Sequence, residues 1–219
     1  MTRTLPLKIE DLSFGYGQKP LFQNVNLELN PGEFVTVMGE NGAGKSTLID
    51  CLMGSLAPRG GQIRFWGQSN EGPARKDIQN RVGWVLAQNE THAPWLKIKD
   101  IIEAVRPFYT NWNEELFVEL AGQFKIDLNL RFGTLSSGEA SKFRLLKAIA
   151  FEPKLLVLDE LTANLSPESK VKMTQILLDR FSTGQMSVLY ICHSVDEALR
   201  LSDRVFNLTS NGLMEGLPR

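Results

Sequence analysis

The chain contains 219 residues, which is enough for one domain with a sizeable hydrophobic core and short for two. Its formal net charge is -1 and 42% of its residues are hydrophobic, so it lacks the surplus of Lys and Arg that holds nucleic-acid backbones. No apolar run approaches the roughly 20 residues that span a bilayer, and residues 1–10 lack the apolar region of a secretion signal. We therefore expect a cytoplasmic protein with no nucleic-acid partner.

The first elements in the chain are predicted to be strands. Val25, Leu27 and Leu29 alternate with polar residues, which predicts a half-buried strand in an N-terminal antiparallel β subdomain. Short continuous apolar runs, typical of strands buried on both faces, occur at residues 34–38, 155–158 and 188–192. A helical pattern follows each run, which predicts an α/β core with a mainly parallel sheet. Because ligands bind beyond the carboxyl ends of such strands, the residues just past these runs are the candidates for chemistry.

A glycine-rich segment follows the first buried run. Residues 39–47 fit the pattern G-x-x-x-x-G-K-S/T in full. Glycines let the N–H groups of the loop converge on phosphate oxygens, Lys45 neutralises phosphate charge, and Ser46 offers a hydroxyl to Mg²⁺. A glycine-rich turn without a ligand is the alternative, but the flanking strand and helix favour a P-loop NTPase core. The predicted phosphate-binding residues are Asn41, Gly42, Ala43, Gly44, Lys45, Ser46 and Thr47.

Residues 95–151 follow a different pattern, without buried-strand runs. Leu116, Leu120 and Phe124 repeat every four residues with acidic residues between them, which is typical of a helix with one buried face. We interpret this segment as a helical subdomain inserted into the α/β core of a single domain spanning residues 1–219.

Two carboxylates follow the second buried run. Asp159, at the strand end, is placed to hold Mg²⁺, and Glu160 is placed to polarise a water that attacks a phosphate. Two solvated acids would be the interpretation if the pair stood alone. His193 ends the third run, and residues 194–197 form the pattern of a capping box. A strand-end His is more often structural, but this one shares its predicted sheet edge with Lys45 and Asp159.

The only cysteines, Cys51 and Cys192, lie in apolar stretches. Neither belongs to a metal-ligand pattern. We expect both to be buried free thiols.

Taken together, these motifs resemble those of the ATP-binding cassette (ABC) ATPases over essentially the whole chain. Residues 135–139, Leu-Ser-Ser-Gly-Glu, are similar to the signature motif of that family, usually Leu-Ser-Gly-Gly-Gln. Gln88 matches the glutamine loop, Tyr16 the aromatic residue that stacks on adenine, and His193 the switch histidine.

The resemblance implies an ATPase that binds ATP and Mg²⁺ and works as a head-to-tail pair with a second ABC ATPase subunit. Ser136 and Gly138 would contact the γ-phosphate of ATP held by the partner. Independently, the spacing of Ser136 and Glu139 predicts a capping box that opens a helix over residues 139–151. The implied catalytic residues are Glu160, His193 and Gln88, and the implied metal ligands are Ser46, Gln88 and Asp159.

Four positions depart from the family pattern. Ser137 replaces a glycine, Glu139 replaces Gln, and Leu161 stands where Pro is usual. Ser166 stands where Asp is usual, directly before Pro167. Ser and Asp both cap helices well, so the cap is retained while a negative charge at the dimer interface is lost.

Most members of the family power membrane transporters, which implies a membrane permease as partner and a peripheral position on the inner face of the membrane. Residues 106–115 are similar to a segment of bacterial exporter ATPases of the antibiotic and bacitracin-resistance type, which predicts an exporter. Import of a small solute is a rival, and a soluble ABC ATPase of cluster assembly is the alternative outside transport. The resemblance places the permease-docking segment between Gln88 and Tyr109. We expect part of its apolar set to be exposed, although burial in the core is equally compatible with the sequence: His92, Pro94, Trp95, Leu96, Pro107 and Phe108.

Overall fold

A computed structural model describes residues 4–71, 74–86, 94–162, 165–182, 184 and 186–217 of the chain. The strands are β1 (Leu7–Tyr16), β2 (Lys19–Leu29), β3 (Phe34–Met38), β4 (Gly60–Phe65), β5 (Gln68–Ser69), β6 (Val82–Val85), β7 (Leu155–Asp159), β8 (Ser187–Ile191), β9 (Arg204–Thr209) and β10 (Gly212–Glu215). The α-helices are α1 (Lys45–Leu52), α2 (Ala74–Gln79), α3 (Ile98–Val105), α4 (Glu114–Phe124), α5 (Ser137–Ile149), α6 (Pro167–Phe181) and α7 (Val195–Leu201). Short 3-10 helices occupy Arg106–Phe108 and Phe132–Thr134.

The N-terminal sheet is antiparallel, with the strand order β2-β1-β4-β5. The alternation in β2 has the predicted effect: Val25, Leu27 and Leu29 are buried, and the residues between them are exposed. The predicted antiparallel subdomain is therefore confirmed.

The second sheet has the order β10-β9-β3-β8-β7-β6. All of its neighbouring strands run parallel except β10, which is antiparallel to β9. Strands β3 and β8 are buried along their whole length, as their continuous apolar sequences require. The predicted α/β core is confirmed, and its topology brings the carboxyl ends of β3, β8 and β7 side by side.

Helices α3, α4 and α5 lie between β6 and β7 in the chain. Leu116, Leu120 and Phe124 of α4 are buried, and the side chain of Asn113 caps the helix by accepting a hydrogen bond from the backbone of Leu116 at 3.0 Å. A parallel ring contact, with centroids 4.1 Å apart, packs Tyr109 on Phe151 at the end of α5. These helices form the inserted helical part of the predicted fold class.

Helix α5 begins two residues earlier than the spacing predicted, at Ser137 rather than residue 139. The reason is that Ser136 is itself the N-cap residue, and the helix continues directly from it. No helix in the described part of the chain is long and apolar enough to cross a bilayer.

Candidate active site

The phosphate loop joins β3 to α1 through glycines with left-handed backbone conformations. Gly42 has φ 85° and Gly44 has φ 99°. A Cβ atom on Gly44 would lie 2.9 Å from side-chain atoms of Leu21 and Phe22, so only glycine fits this position without rearrangement. The side chains of Asn41 and Ser46 are exposed, Ala43 is half-buried, and Thr47 is buried.

Helix α1 begins without a side-chain cap and without an acidic residue in its first turn. Helices α4, α5, α6 and α7 are each capped by an Asn or Ser side chain. The first N–H groups of α1 therefore point into the loop without a competing side-chain acceptor from the cap position, and the positive end of the helix dipole favours an anion there.

Lys45 is only 7% exposed, and its ammonium group donates hydrogen bonds to the carbonyl oxygens of Gly39 at 2.9 Å and Glu40 at 3.0 Å. Burial lowers the pKa of Lys45, while the charges of Glu160 and Asp159 oppose that shift. This coupling places the lysine and the two carboxylates in one electrostatic environment, as the motif spacing predicted.

Asp159 is the last residue of β7 and pairs with Ile191 of β8. Glu160 follows with φ 46°, a left-handed conformation that is uncommon for residues other than glycine. Its backbone N–H donates to the carbonyl oxygen of Ile191 at 2.8 Å. The side chain of Glu160 is turned toward the end of β8 by this bend.

His193 lies just beyond β8 and contacts Glu160 directly. The distance from Nε2 of His193 to Oε1 of Glu160 is 2.5 Å, and both side chains are partly exposed. The structure therefore brings Lys45, Asp159, Glu160 and His193 to the same edge of the parallel sheet.

Tyr16, the last residue of β1, is 61% exposed. Its ring packs edge-to-face on Phe14 with centroids 5.2 Å apart, and its hydroxyl lies 3.4 Å from the Thr47 hydroxyl at the start of α1. The ring thus presents accessible surface beside the phosphate loop, which is the position that stacking on a nucleotide base requires.

Ser136 and Gly138 lie at the N-terminus of α5, in the helical part of the fold. Ser136 accepts from the backbone of Glu139 at 3.2 Å, and the Glu139 carboxylate accepts from the backbone and hydroxyl of Ser136 at 2.8 and 2.7 Å. These bonds lower the pKa of Glu139. The predicted capping box is confirmed, and the hydrogen bonds of Ser136 join it to Glu139 rather than to the phosphate loop. Gln88 lies outside the described residues.

The sequence profile of the ABC transporter family matches residues 22–163. The chain belongs to this family. It is 30% identical over 208 residues to an uncharacterized ABC transporter ATP-binding protein of Methanocaldococcus jannaschii, covering 91% of this chain and 71% of that protein. It is 31% identical over 204 residues to an aliphatic sulfonates import ATP-binding protein of Pseudomonas fluorescens, covering 93% of this chain and 73% of that protein.

The fold also matches solved ABC cassettes. A dimeric cassette in a post-hydrolysis state with bound ADP and Pi aligns with a TM-score of 0.83 at 21% identity, over 97% of this chain and 99% of that chain. This ABC chain is an ATPase that uses ATP and Mg²⁺, and it is the ATP-binding subunit of a transporter. The expected kinship with exporter ATPases of the bacitracin-resistance type is not confirmed by these relatives.

The structure also shows a polar cluster that the sequence did not predict. The sequence pattern predicts a capping box between Ser194 and Glu197, and the backbone N–H of Glu197 does donate to the Ser194 hydroxyl at 3.3 Å. Its carboxylate, however, turns inward and accepts from the hydroxyl groups of Thr162 and Tyr190. The signal available in the sequence was the hydroxyl of Tyr190, which stands between the apolar residues Leu189 and Ile191 of a buried strand.

Proposed function

We propose that this ABC ATPase hydrolyses ATP at the sheet edge formed by the ends of β3, β7 and β8 and transmits the resulting dimer opening to a separate membrane permease. The observation that carries the proposal is the convergence of Lys45, Glu160 and His193 at this edge. The proposed unit is a single cassette over residues 1–219, with its helical subdomain at residues 95–151.

In the proposed mechanism, the N–H groups of the loop and the first turn of α1 bind the phosphates of ATP, and Lys45 balances their charge. Glu160, oriented by His193, accepts a proton from the water that attacks the γ-phosphate. Mg²⁺, when bound, neutralises phosphate charge. The exposed hydroxyl of Ser46 and the strand-end carboxylate of Asp159 are oxygen ligands of the kind that this ion prefers, and Gln88 is the third proposed ligand.

The remaining proposed residues bind the adenine ring of ATP and the ATP held by the second cassette. Tyr16 stacks on adenine through its exposed ring. Ser136 and Gly138 contact the γ-phosphate of ATP held by a second ABC subunit, which is supported by their place at the positive end of α5. Head-to-tail pairing would bring this helix end to the phosphate loop of the partner.

The permease is proposed to dock at exposed apolar residues of the helical part. Phe108 is 77% exposed and Trp95 is 69% exposed, so the expectation of exposure holds for these residues. The segment that carries Trp95 is held in place, because the backbone N–H groups of Phe132 and Gly133 donate to the carbonyls of Leu96 and Pro94 at 2.9 Å each. A pre-ordered aromatic anchor loses little conformational freedom on binding. His92 lies outside the described residues.

A groove that reaches the residue after Phe108 supports docking at this part of the surface. A cavity of 410 Å³ lies between the α/β core and the helical part, lined by Asp50, Met53, Ser55, Trp84, Leu86, Tyr109, Lys147, Ala148 and Phe151. Phe108 directly precedes Tyr109 in the chain. A cytoplasmic helix of the permease, with apolar side chains at helical spacing, fits a groove of this kind.

The direction of transport is a separate matter from docking. Residues 106–115 predicted an exporter, whereas the Pseudomonas fluorescens relative is named for import. That relative therefore favours import over export. With a permease, the ATPase would lie on the cytoplasmic face of the membrane.

Docking is tested by expressing the tagged chain in its native cells and isolating the proteins that copurify with it from solubilised membranes. Trp95→Ser and Phe108→Ser should abolish copurification from solubilised membranes without lowering the melting temperature. Val171→Ser, which removes a 60% exposed apolar side chain from α6, is the matched control and should copurify normally. Copurification of a soluble scaffold protein in place of a membrane protein would support the cluster-assembly alternative instead.

A further inference from the structure

A buried polar cluster lies directly behind the catalytic edge. The Glu197 carboxylate accepts from the Thr162 hydroxyl at 2.8 and 2.7 Å and from the Tyr190 hydroxyl at 2.7 Å. The two hydroxyl oxygens lie 3.2 Å apart, and the ammonium of Lys170 lies 3.4 Å from the same carboxylate. Tyr190 is 2% exposed and Thr162 is 6% exposed, so the hydroxyl groups are shielded from water.

The cluster joins the segments that carry the proposed catalytic groups. Thr162 follows Glu160 by two residues, and Glu197 lies in the first turn of α7, which begins just after His193. Lys170 lies near the start of α6, whose N-cap is Ser166. A hydrogen bond between Thr162 and Glu197 therefore fixes the loop after β7 relative to the loop after β8.

The backbone of Glu160 needs such support. A non-glycine residue with φ 46° persists where the surrounding structure holds it, because its intrinsic conformational preference is unfavourable. On the amino side it is held by the bond from its own N–H to Ile191. On the carboxyl side Leu161 packs in the hydrophobic core, and Thr162 is the first residue whose side chain is held by hydrogen bonds, to Glu197.

The hydrogen-bonding chemistry of the cluster suits a rigid connection between the two loops. Burial raises the pKa of Tyr190, which keeps its hydroxyl a neutral donor. The Glu197 side chain is 15% exposed, and its carboxylate has two hydroxyl donors and a nearby cation, so a shift of the loop would cost it a hydrogen bond in a largely shielded position. A fully satisfied network of this kind is rigid. It therefore restricts the positions of the neighbouring residues in both loops.

We propose that Thr162, Tyr190 and Glu197 are positioning residues that hold Glu160 against His193 in the geometry needed for hydrolysis. This inference rests on the proposed catalytic role of Glu160. It adds a requirement for hydroxyl groups at two positions that touch neither nucleotide nor metal.

The test measures kcat and KM for ATP, with Mg²⁺, in the full chain. Thr162→Val and Tyr190→Phe remove one hydroxyl each with little change of shape, and kcat should fall about five- to tenfold while KM stays within about twofold. Thr162→Ser keeps the hydroxyl and should return kcat to within about twofold of wild type. In a Glu160→Gln background, Thr162→Val should cause no further loss, since it acts through Glu160.

Ser187→Ala is the control for loss of a buried hydroxyl. Ser187 lies at the opposite end of β8, donates to the carbonyl of Asn30 at 3.1 Å and accepts from Gly32 at 2.9 Å. The Ser187→Ala variant should have a lower melting temperature and an unchanged kcat.

Wild-type kcat in both Thr162→Val and Tyr190→Phe would overturn the inference, as would equal losses in Thr162→Val and Thr162→Ser. If Glu160→Gln turned over at the wild-type rate, the proposed role of Glu160 would fail and the inference with it; an inactive Glu160→Gln beside a fully active Thr162→Val would refute the positioning role alone.

Discussion

The Glu160 carboxylate and the His193 imidazole are in hydrogen-bond contact, with 2.5 Å between Oε1 and Nε2. A carboxylate only accepts hydrogen bonds, so in the arrangement proposed for catalysis Nε2 of His193 is the donor. The imidazole therefore fixes one oxygen of the carboxylate, and the direction in which the other oxygen points is determined with it. The pair forms where β7 and β8 end side by side, so it depends on the parallel pairing of these strands.

Glu160→Gln should keep ATP binding and lower hydrolysis about 10²–10⁴-fold, the usual effect of losing a positioned base. An amide has the shape of the carboxylate but cannot take the proton from water. The variant should accumulate as an ATP-bound dimer, which size-exclusion chromatography detects. Turnover within about tenfold of wild type would remove Glu160 from the role of base.

Substitution of His193 should separate its donor function from its bulk. His193→Ala removes the donor to Glu160 and should lower kcat about tenfold or more. His193→Gln retains a side-chain N–H and should keep more activity than His193→Ala, with similar ATP affinity in both. Steady-state hydrolysis and equilibrium ATP binding distinguish these outcomes, and equal rates in the two variants would contradict a role for the hydrogen bond.

The sheet edge could be predicted because strand-end positions follow from sequence. The apolar runs at β3, β7 and β8 specify parallel strands, and Lys45, Asp159 and His193 stand just past them or in the helix that follows. Parallel strands end at the same edge, so these side chains had to converge. The same logic does not fix the contact between Glu160 and His193, which also needs the left-handed turn at Glu160.

The choice of partner for Glu197 could not be predicted. The spacing of Glu197 from Ser194 fits a capping box. Its carboxylate could accept hydrogen bonds either from the N-cap residue or from buried hydroxyl groups. The choice is made by Thr162 and Tyr190, which lie on other segments and approach Glu197 only in the folded chain.

The sequence also left the exposure of Trp95 and Phe108 open, because composition does not distinguish a core aromatic residue from an exposed one.

Tyr16→Ala should weaken ATP binding by about 1 to 3 kcal/mol, the usual contribution of an aromatic side chain stacked on a base. The hydrolytic step at saturating ATP should be largely unchanged, since the ring does not contact the phosphates. Tyr16→Phe keeps the ring and removes the hydroxyl near Thr47, so it should bind ATP nearly as well as wild type. Because stacking uses the ring face, GTP should also be accepted, though less well. Unchanged ATP affinity in Tyr16→Ala, measured by calorimetry, would show that the ring only packs against Phe14.

Ser136 variants should separate helix capping from phosphate binding. Ser136→Ala should lower the free energy of unfolding by about 1 kcal/mol, because α5 loses its N-cap acceptor, and should also slow hydrolysis. Ser136→Asp keeps an N-cap acceptor and should retain most of the stability, yet its charge should repel ATP at the dimer interface and reduce the rate. Urea unfolding and ATPase assays report the two effects separately. An active Ser136→Asp variant would contradict contact between Ser136 and a phosphate.

The buried thiols should make the free energy of unfolding depend on pH in the alkaline range. Burial raises the pKa of Cys51 to about 11 and that of Cys192 to about 12, above the value of about 9 for an exposed thiol. Between pH 9 and 11 the unfolded chain therefore loses thiol protons that the folded chain keeps, so the free energy of unfolding falls as pH rises. Each thiol should contribute a slope of at most about 1.4 kcal/mol per pH unit, reaching about half of this value at pH 9 and falling to nearly zero below pH 8.

The measurement is urea unfolding at pH 8 and pH 10 for wild type, Cys51→Ala and Cys192→Ala. Each variant should be less stable than wild type at pH 8, because it leaves a cavity, but should lose less stability on going to pH 10. The quantity compared among the three proteins is the change in the free energy of unfolding from pH 8 to pH 10. The cavity cost is the same at both pH values, and the lysines and tyrosines titrate alike in all three proteins, so neither affects the comparison. As an independent check, both thiols should resist a thiol-specific reagent in the native protein and react in urea. Rapid labelling of native Cys192 at pH 8, or identical pH dependence in all three proteins, would contradict the burial that the structure gives these residues.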